Sequence, residues 1–104
     1  LATSGQPPLP DRLTLIGNTP NPFNPETTIR FVVPAGPRRD YALRIYDVAG
    51  RLVRELASGQ IDAGMHDVRW DGTDSRGQTV SSGVYLYRVS AGAEALRWKM
   101  VLLK

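Results

Sequence analysis

Apolar and polar residues alternate along this chain in short runs, each cut off by glycine, proline or an Asp/Asn cluster. Strict alternation puts one set of side chains on each face of an extended segment and fits no helical face. Thr27–Val33 sets Ile29, Phe31 and Val33 against Arg30, and Tyr41–Ile45 sets Leu43 and Ile45 against Arg44. Met65–Trp70 sets His66, Val68 and Trp70 against Asp67 and Arg69, and Gly83–Ser90 is rich in the β-favouring Val84, Tyr85, Tyr87 and Val89. Leu13–Ile16 and Ala95–Lys104 read as first and last strands. Arg51–Leu56 reads as a return strand whose apolar Val53 and Leu56 stand three apart, which fits either a bulge or a single helical turn. Seven such runs, with turn signals between them and no helical period, predict an all-β chain: an immunoglobulin-like β-sandwich of about seven antiparallel strands.

All eight prolines precede residue 38. Residues 1–12 (L-A-T-S-G-Q-P-P-L-P-D-R) have the small, polar, Pro-rich composition of an extended linker, and residues 13–104 form the single domain that 104 residues allow. Asn18–Pro25 (N-T-P-N-P-F-N-P) cannot be helical, because each residue before a proline is pushed to extended geometry. It is expected to be an ordered loop anchored by Phe23. The absence of an initiating Met or a secretory segment at Leu1 suggests a boundary within a longer polypeptide.

Turn chemistry supplies the expected structural residues. Gly50 closes the Asp47–Gly50 hairpin, and Gly64 and Gly83 flank strands. In Asp71-Gly72-Thr73-Asp74-Ser75-Arg76-Gly77 the two carboxylates are expected to accept backbone N–H groups in Asx turns, with Gly72 and Gly77 in unusual φ. The competing calcium loop lacks the closely alternating ligands and late bidentate Glu that calcium favours. Trp70 is expected in the core, and Tyr85 as a tyrosine corner bonding nearby backbone.

Several function classes are disfavoured. The chain has no cysteine, so thiolate and disulfide chemistry are excluded, and no apolar run reaches the length of a membrane span. The net charge of +3 is spread over both signs without a basic, aromatic-bearing stripe, which argues against nucleic acid. His66 is the only histidine, and neither Ser81 nor Ser82 sits in a nucleophile elbow, so no catalytic set and no cofactor are expected. A sugar platform would need exposed, coplanar aromatics. Trp98 shares its parity with Leu96, Met100 and Leu102, so it is expected in the core like Trp70.

The last strand breaks the alternation. Val101 and Leu103 fall on the face of Arg97 and Lys99, leaving positions 100–103 apolar on both sides. Such a strand is either an edge covered by the Asn18–Pro25 loop or a segment presented to a receptor by strand addition or groove binding. Recognition by Lys99, Met100, Val101, Leu102, Leu103 and Lys104 is the favoured alternative.

The ordered series N-P-F-N-P-E-T-T-I-R-F-V-V-P, L-R-I-Y-D-V-A-G-R-L-V-R-E-L, A-G-M-H, W-D-G-T-D-S-R-G, S-S-G-V-Y-L-Y-R and K-M-V-L-L-K resembles type A C-terminal sorting domains of the type IX secretion system of Gram-negative bacteria. It is also similar, chiefly from W-D-G to G-V-Y, to the immunoglobulin-like domain of the flagellar hook-capping protein. The resemblance covers residues 13–104. It implies a non-catalytic address that carries a fused N-terminal cargo through an outer-membrane translocon, by way of the periplasm. A surface sortase would then cut the linker, leaving the cargo secreted or held at the outer-membrane surface. The hook-cap resemblance implies a structural assembly module instead. A carbohydrate-binding accessory domain is the third class.

Overall fold

The computed structural model describes residues 9–104. Of the expected linker, residues 1–8 lie outside the described residues, and Leu9–Leu13 carries no strand. Seven strands follow: β1 (Thr14–Thr19), β2 (Thr27–Val33), β3 (Arg39–Asp47), β4 (Leu52–Ile61), β5 (Gly64–Trp70), β6 (Gly83–Ala91) and β7 (Glu94–Leu102). They pair antiparallel into a three-stranded sheet, β1-β2-β5, and a four-stranded sheet, β4-β3-β6-β7. The chain is therefore the expected immunoglobulin-like sandwich.

The inward parity of each strand fills the space between the sheets. Ile29, Phe31, Val33 and Trp70 from one sheet meet Leu43, Ile45, Tyr87, Val89, Met100 and Leu102 from the other, all fully buried. Each such side chain contributes roughly 1.5–3 kcal/mol by leaving water. Trp70 lies between Phe23 and Tyr85, at ring-centroid distances of 5.6 and 5.5 Å, and its indole N–H donates to the Thr73 carbonyl at 2.8 Å. The Tyr85 hydroxyl donates to the Ser81 carbonyl at 2.6 Å, as a tyrosine corner does.

The extent of β4 differs from the sequence expectation. The return strand read as Arg51–Leu56 runs on to Ile61, so only Asp62 and Ala63 separate β4 from β5. Pairing with β3 continues through Gly59 and Gln60 and overrides the weak strand preference of Ser58-Gly59-Gln60. The spacing of Val53 and Leu56 is resolved in favour of bulges. Leu43 pairs with Ala57 and Arg44 with Glu55, which skips Leu56; Ile45 pairs with Arg54 and Tyr46 with Leu52, which skips Val53. Each bulge turns an otherwise misplaced apolar side chain toward the core, where both pack. The bulge also frees the Val53 carbonyl, which accepts the Ser75 N–H at 3.1 Å and ties the 71–82 loop to β4.

One core assignment is corrected. Trp98 and Leu96 have inward parity but are 50% and 37% exposed. The facing sheet has one strand fewer, so it does not roof the first half of β7; only Met100 and Leu102 reach the covered region.

Candidate recognition surface at the terminal strand

β7 is an edge strand, and its two halves are treated differently. In the second half the Asn18–Pro25 segment lies alongside it in parallel. The Phe23 N–H donates to the Val101 carbonyl at 2.9 Å, and the Leu103 N–H donates to the Phe23 carbonyl at 3.0 Å. The Asn21 side-chain oxygen accepts the Val101 N–H at 3.0 Å. Phe23 itself is buried at 2% exposure against Trp70, so the expected anchor both fills the core and fixes the backbone that covers the edge. Thr27, the one buried polar residue among those described, braces the same segment: its hydroxyl donates to the Pro20 carbonyl at 2.8 Å and accepts from the Asn18 amide at 3.1 Å. Thr27 looks in sequence like one more alternating strand residue, and nothing there signals this task.

The six residues expected to be recognised thus divide. Met100 and Leu102 are fully buried core. Val101 is half-covered by the Phe23 segment, whereas Leu103 is 52% exposed and Lys99 and Lys104 are exposed. The Lys104 N–H donates to the Ser82 hydroxyl at 3.0 Å, holding the end of the strand beside an open cleft of about 750 Å³. The cleft lies between the Asp47–Val53 turn and the 74–85 segment, and exposed Val48, Leu52 and Val84 make its apolar part. The loop reading of the edge is therefore realised for the backbone of residues 101–103, while the Leu103 and Lys104 side chains stay exposed.

The turns that frame the cleft are built from carboxylates bonded to backbone. Asp47 Oδ1 accepts the N–H groups of Arg51 (2.9 Å) and Ala49 (3.0 Å), and the Arg51 bond foremost holds its carboxyl below the usual range. Gly50, at φ 84°, closes that turn by donating to the Asp47 carbonyl. Asp74 Oδ1 accepts from Arg76 N (2.9 Å) and Gln78 N (3.0 Å). Asp71 Oδ1 accepts from the Thr73 hydroxyl and backbone N–H, and these bonds with nearby Arg54 hold its carboxyl low. Both carboxylates are used as Asx-turn acceptors. Gly72 is buried with φ 78°, and a Cβ there would stand 2.9 Å from the Pro25 carbonyl oxygen, so this glycine permits the loop to pack on the Phe23 segment. Gly64, Gly77 and Gly83 also have positive φ. His66, half-buried, stacks on Phe31 at 5.6 Å with its Nε2 2.8 Å from the Asp62 carbonyl; no hydrogen bond joins it to Ser81 or Ser82.

Comparison with known proteins agrees with this architecture. The basal-body rod modification protein FlgD of Salmonella typhimurium is 43% identical over 47 residues, which span 45% of this chain and 20% of FlgD. The dimeric latent form of PorU from Porphyromonas gingivalis superposes over 98% of this chain with a TM-score of 0.72 and 26% identity, matching 10% of PorU. PorZ, a surface component of the type-IX secretion system of the same organism, shares the fold over 84% of this chain and 11% of its own, with a TM-score of 0.56 and 23% identity. The chain thus spans only about a fifth of the FlgD it matches and a tenth of PorU. The FlgD Ig-like domain family matches residues 17–95, most of the two sheets, and the chain belongs to that family.

Proposed function

We propose that this domain is a non-catalytic address for type IX secretion. It would direct a cargo fused N-terminal to it through the outer-membrane translocon, to be cut by a surface sortase within residues 1–12 and then released or held at the cell surface. The observation that carries this reading is the likeness to PorU. It extends over 98% of the chain, whereas the FlgD Ig-like match ends at residue 95, before Lys99–Lys104. The type IX setting of PorZ and the ordered sequence resemblance to sorting domains support it. Within the terminal segment the receptor would read Leu103 and the lysine side chains, which point away from the core, while Met100 and Leu102 hold the strand in place.

The test is a reporter fused ahead of this domain in a host with a type IX system, with and without Lys99→Ala and Lys104→Ala. Exposed lysines contribute within about 0.5 kcal/mol to folding, so Tm should be unchanged. The wild-type fusion should reach the surface and the double variant should accumulate in the periplasm. Surface delivery of a folded double variant removes the lysines from the recognition role. A second reading, a structural assembly module, is favoured by the 43% identity to FlgD. It predicts that even the wild-type fusion stays in the periplasm.

A further inference from the structure

Outward-facing residues of the four-stranded sheet meet in rows across the strands. One row reads Glu55, Arg44, Arg88, Arg97. Elsewhere the fold sets opposite charges face to face: Arg30 lies opposite Asp67, bidentate at 2.7 and 2.9 Å, and Arg44 lies opposite Glu55 at 2.8 Å. Arg88 and Arg97 break that rule. They are directly opposed on β6 and β7, both exposed, and neither forms an ion pair among the described residues. Residues 1–8 contain no acidic side chain that could reach them.

The pairing geometry sharpens the conflict. The Phe23 segment takes up N–H and C=O groups of Val101 and Leu103, so odd residues of β7 aim their backbone polar groups away from β6. The register is unbroken from Leu102 to Glu94, so Arg97 shares that parity and Arg88–Arg97 is a non-hydrogen-bonded pair. In such pairs the two Cα atoms are only ~4.5 Å apart and the side chains are closest. Like charges directly opposed in this way destabilise a sheet. Arg44, the third arginine of the row, is already engaged by Glu55. Two guanidinium groups therefore remain, with Lys99 one row further along, beside a shallow cavity of about 170 Å³ lined by Tyr46, Gly50, Leu86, Arg88 and Arg97.

We propose that Arg88 and Arg97 clamp a phosphate-class oxyanion in this cavity. Two adjacent guanidinium forks match the several oxygens and near-double negative charge of a phosphate group better than the single charge of a carboxylate. The bound anion turns the repulsion between the two strands into a bridge. Tyr46 and Leu86 give the cavity an apolar wall that excludes water from one side of the contact. The same chemistry is offered by free phosphate and by a lipid headgroup that is a phosphomonoester, as in phosphatidic acid.

The probe is inorganic phosphate, titrated against chloride at matched ionic strength, read by the arginine Nε–H resonances and by Tm. Saturable shifts at Arg88 and Arg97, with a Tm rise that chloride does not give, are expected. R88Q and R97Q should each weaken binding about tenfold or more, as loss of one charge-assisted pair implies. R97Q in chloride should be no less stable than wild type, because the repulsion is gone. R97E should pair internally with Arg88, stay folded and lose the phosphate response. In a second arm, co-sedimentation with phosphatidic acid vesicles but not phosphatidylcholine, lost in R97E, assigns a lipid headgroup. Failure to sediment alongside a retained phosphate response assigns a solute phosphate. Absence of saturable shifts at both arginines, or an undiminished response in R97E, overturns the site.

Discussion

Phe23→Ala separates two jobs that one residue performs. The side chain, 2% exposed and 5.6 Å from the Trp70 ring, fills the core, while its backbone covers the β7 edge. Emptying a buried aromatic position costs about 3–5 kcal/mol, and the tilted contact with Trp70 lies toward the upper end of that range. Alanine keeps both backbone groups, so the two hydrogen bonds to Val101 and Leu103 could survive. They would then be held only by Thr27 and Asn21, and each contributes roughly 1 kcal/mol net. The expected result is urea unfolding destabilised by about 3–5 kcal/mol, within the margin of a domain this size. Amide exchange should locate the damage: the Leu103 N–H, which donates to Phe23, loses protection before the Met100 N–H, which faces β6. A loss below about 1.5 kcal/mol, or equal loss of protection at both amides, would refute the anchoring role.

Three further outcomes follow from the turns and the core. Gly72→Ala should cost about 2–4 kcal/mol, from left-handed strain plus the 2.9 Å approach to the Pro25 oxygen, whereas Gly77→Ala, with similar φ and open space, should cost about 1–2; equal losses in thermal unfolding would show that the Pro25 contact is unimportant. Calcium and chelator should leave Tm alike, since Asp71 and Asp74 are occupied by backbone donors, and a calcium-dependent rise in Tm would reassign them. The pH profile should be limited at both ends. Asp47 and Asp71 have lowered folded pKa values, so their stabilisation is present above the ordinary carboxylate value and is lost as pH falls below 3.8 through the folded values. Burial pushes the Tyr87 phenol up to about 12, so stability declines as pH rises from 10 toward 12 while the unfolded chain ionises first. Tm scans should show both limbs, with Asp47→Asn flattening the acid limb and Tyr87→Phe the alkaline one.

Much of this was legible in the sequence because alternation reports which face is buried. Ile29, Phe31, Leu43, Ile45 and Trp70 all lie where their parity puts them, and the turn carboxylates bond the backbone as Asx chemistry requires. Parity fails at Trp98 and Leu96 because it specifies a face and not what covers that face; the cover depends on the three-to-four mismatch between the sheets. The span of β4 was hidden because Ser58, Gly59 and Gln60 are strand residues only through their partners in β3. The Arg44–Arg88–Arg97 row was hidden for a related reason: cross-strand neighbours are set by register, which a single strand does not encode.

The parallel contact between Phe23 and the Val101–Leu103 stretch joins residues 78 and 80 positions apart, and it bears on the order in which the molecule can be completed. During synthesis β1 to β6 emerge while the places of Met100 and Leu102 in the core are vacant and the Phe23 backbone groups have no partner. Closure of the sandwich therefore waits for the last strand, and a truncated product leaves both the core and the covered edge unfinished. A receptor that engages this part of β7 would be inspecting a feature present only once β7 has been made and the domain has folded. Synthesis of β7 and closure of the sandwich would then be tested by one contact.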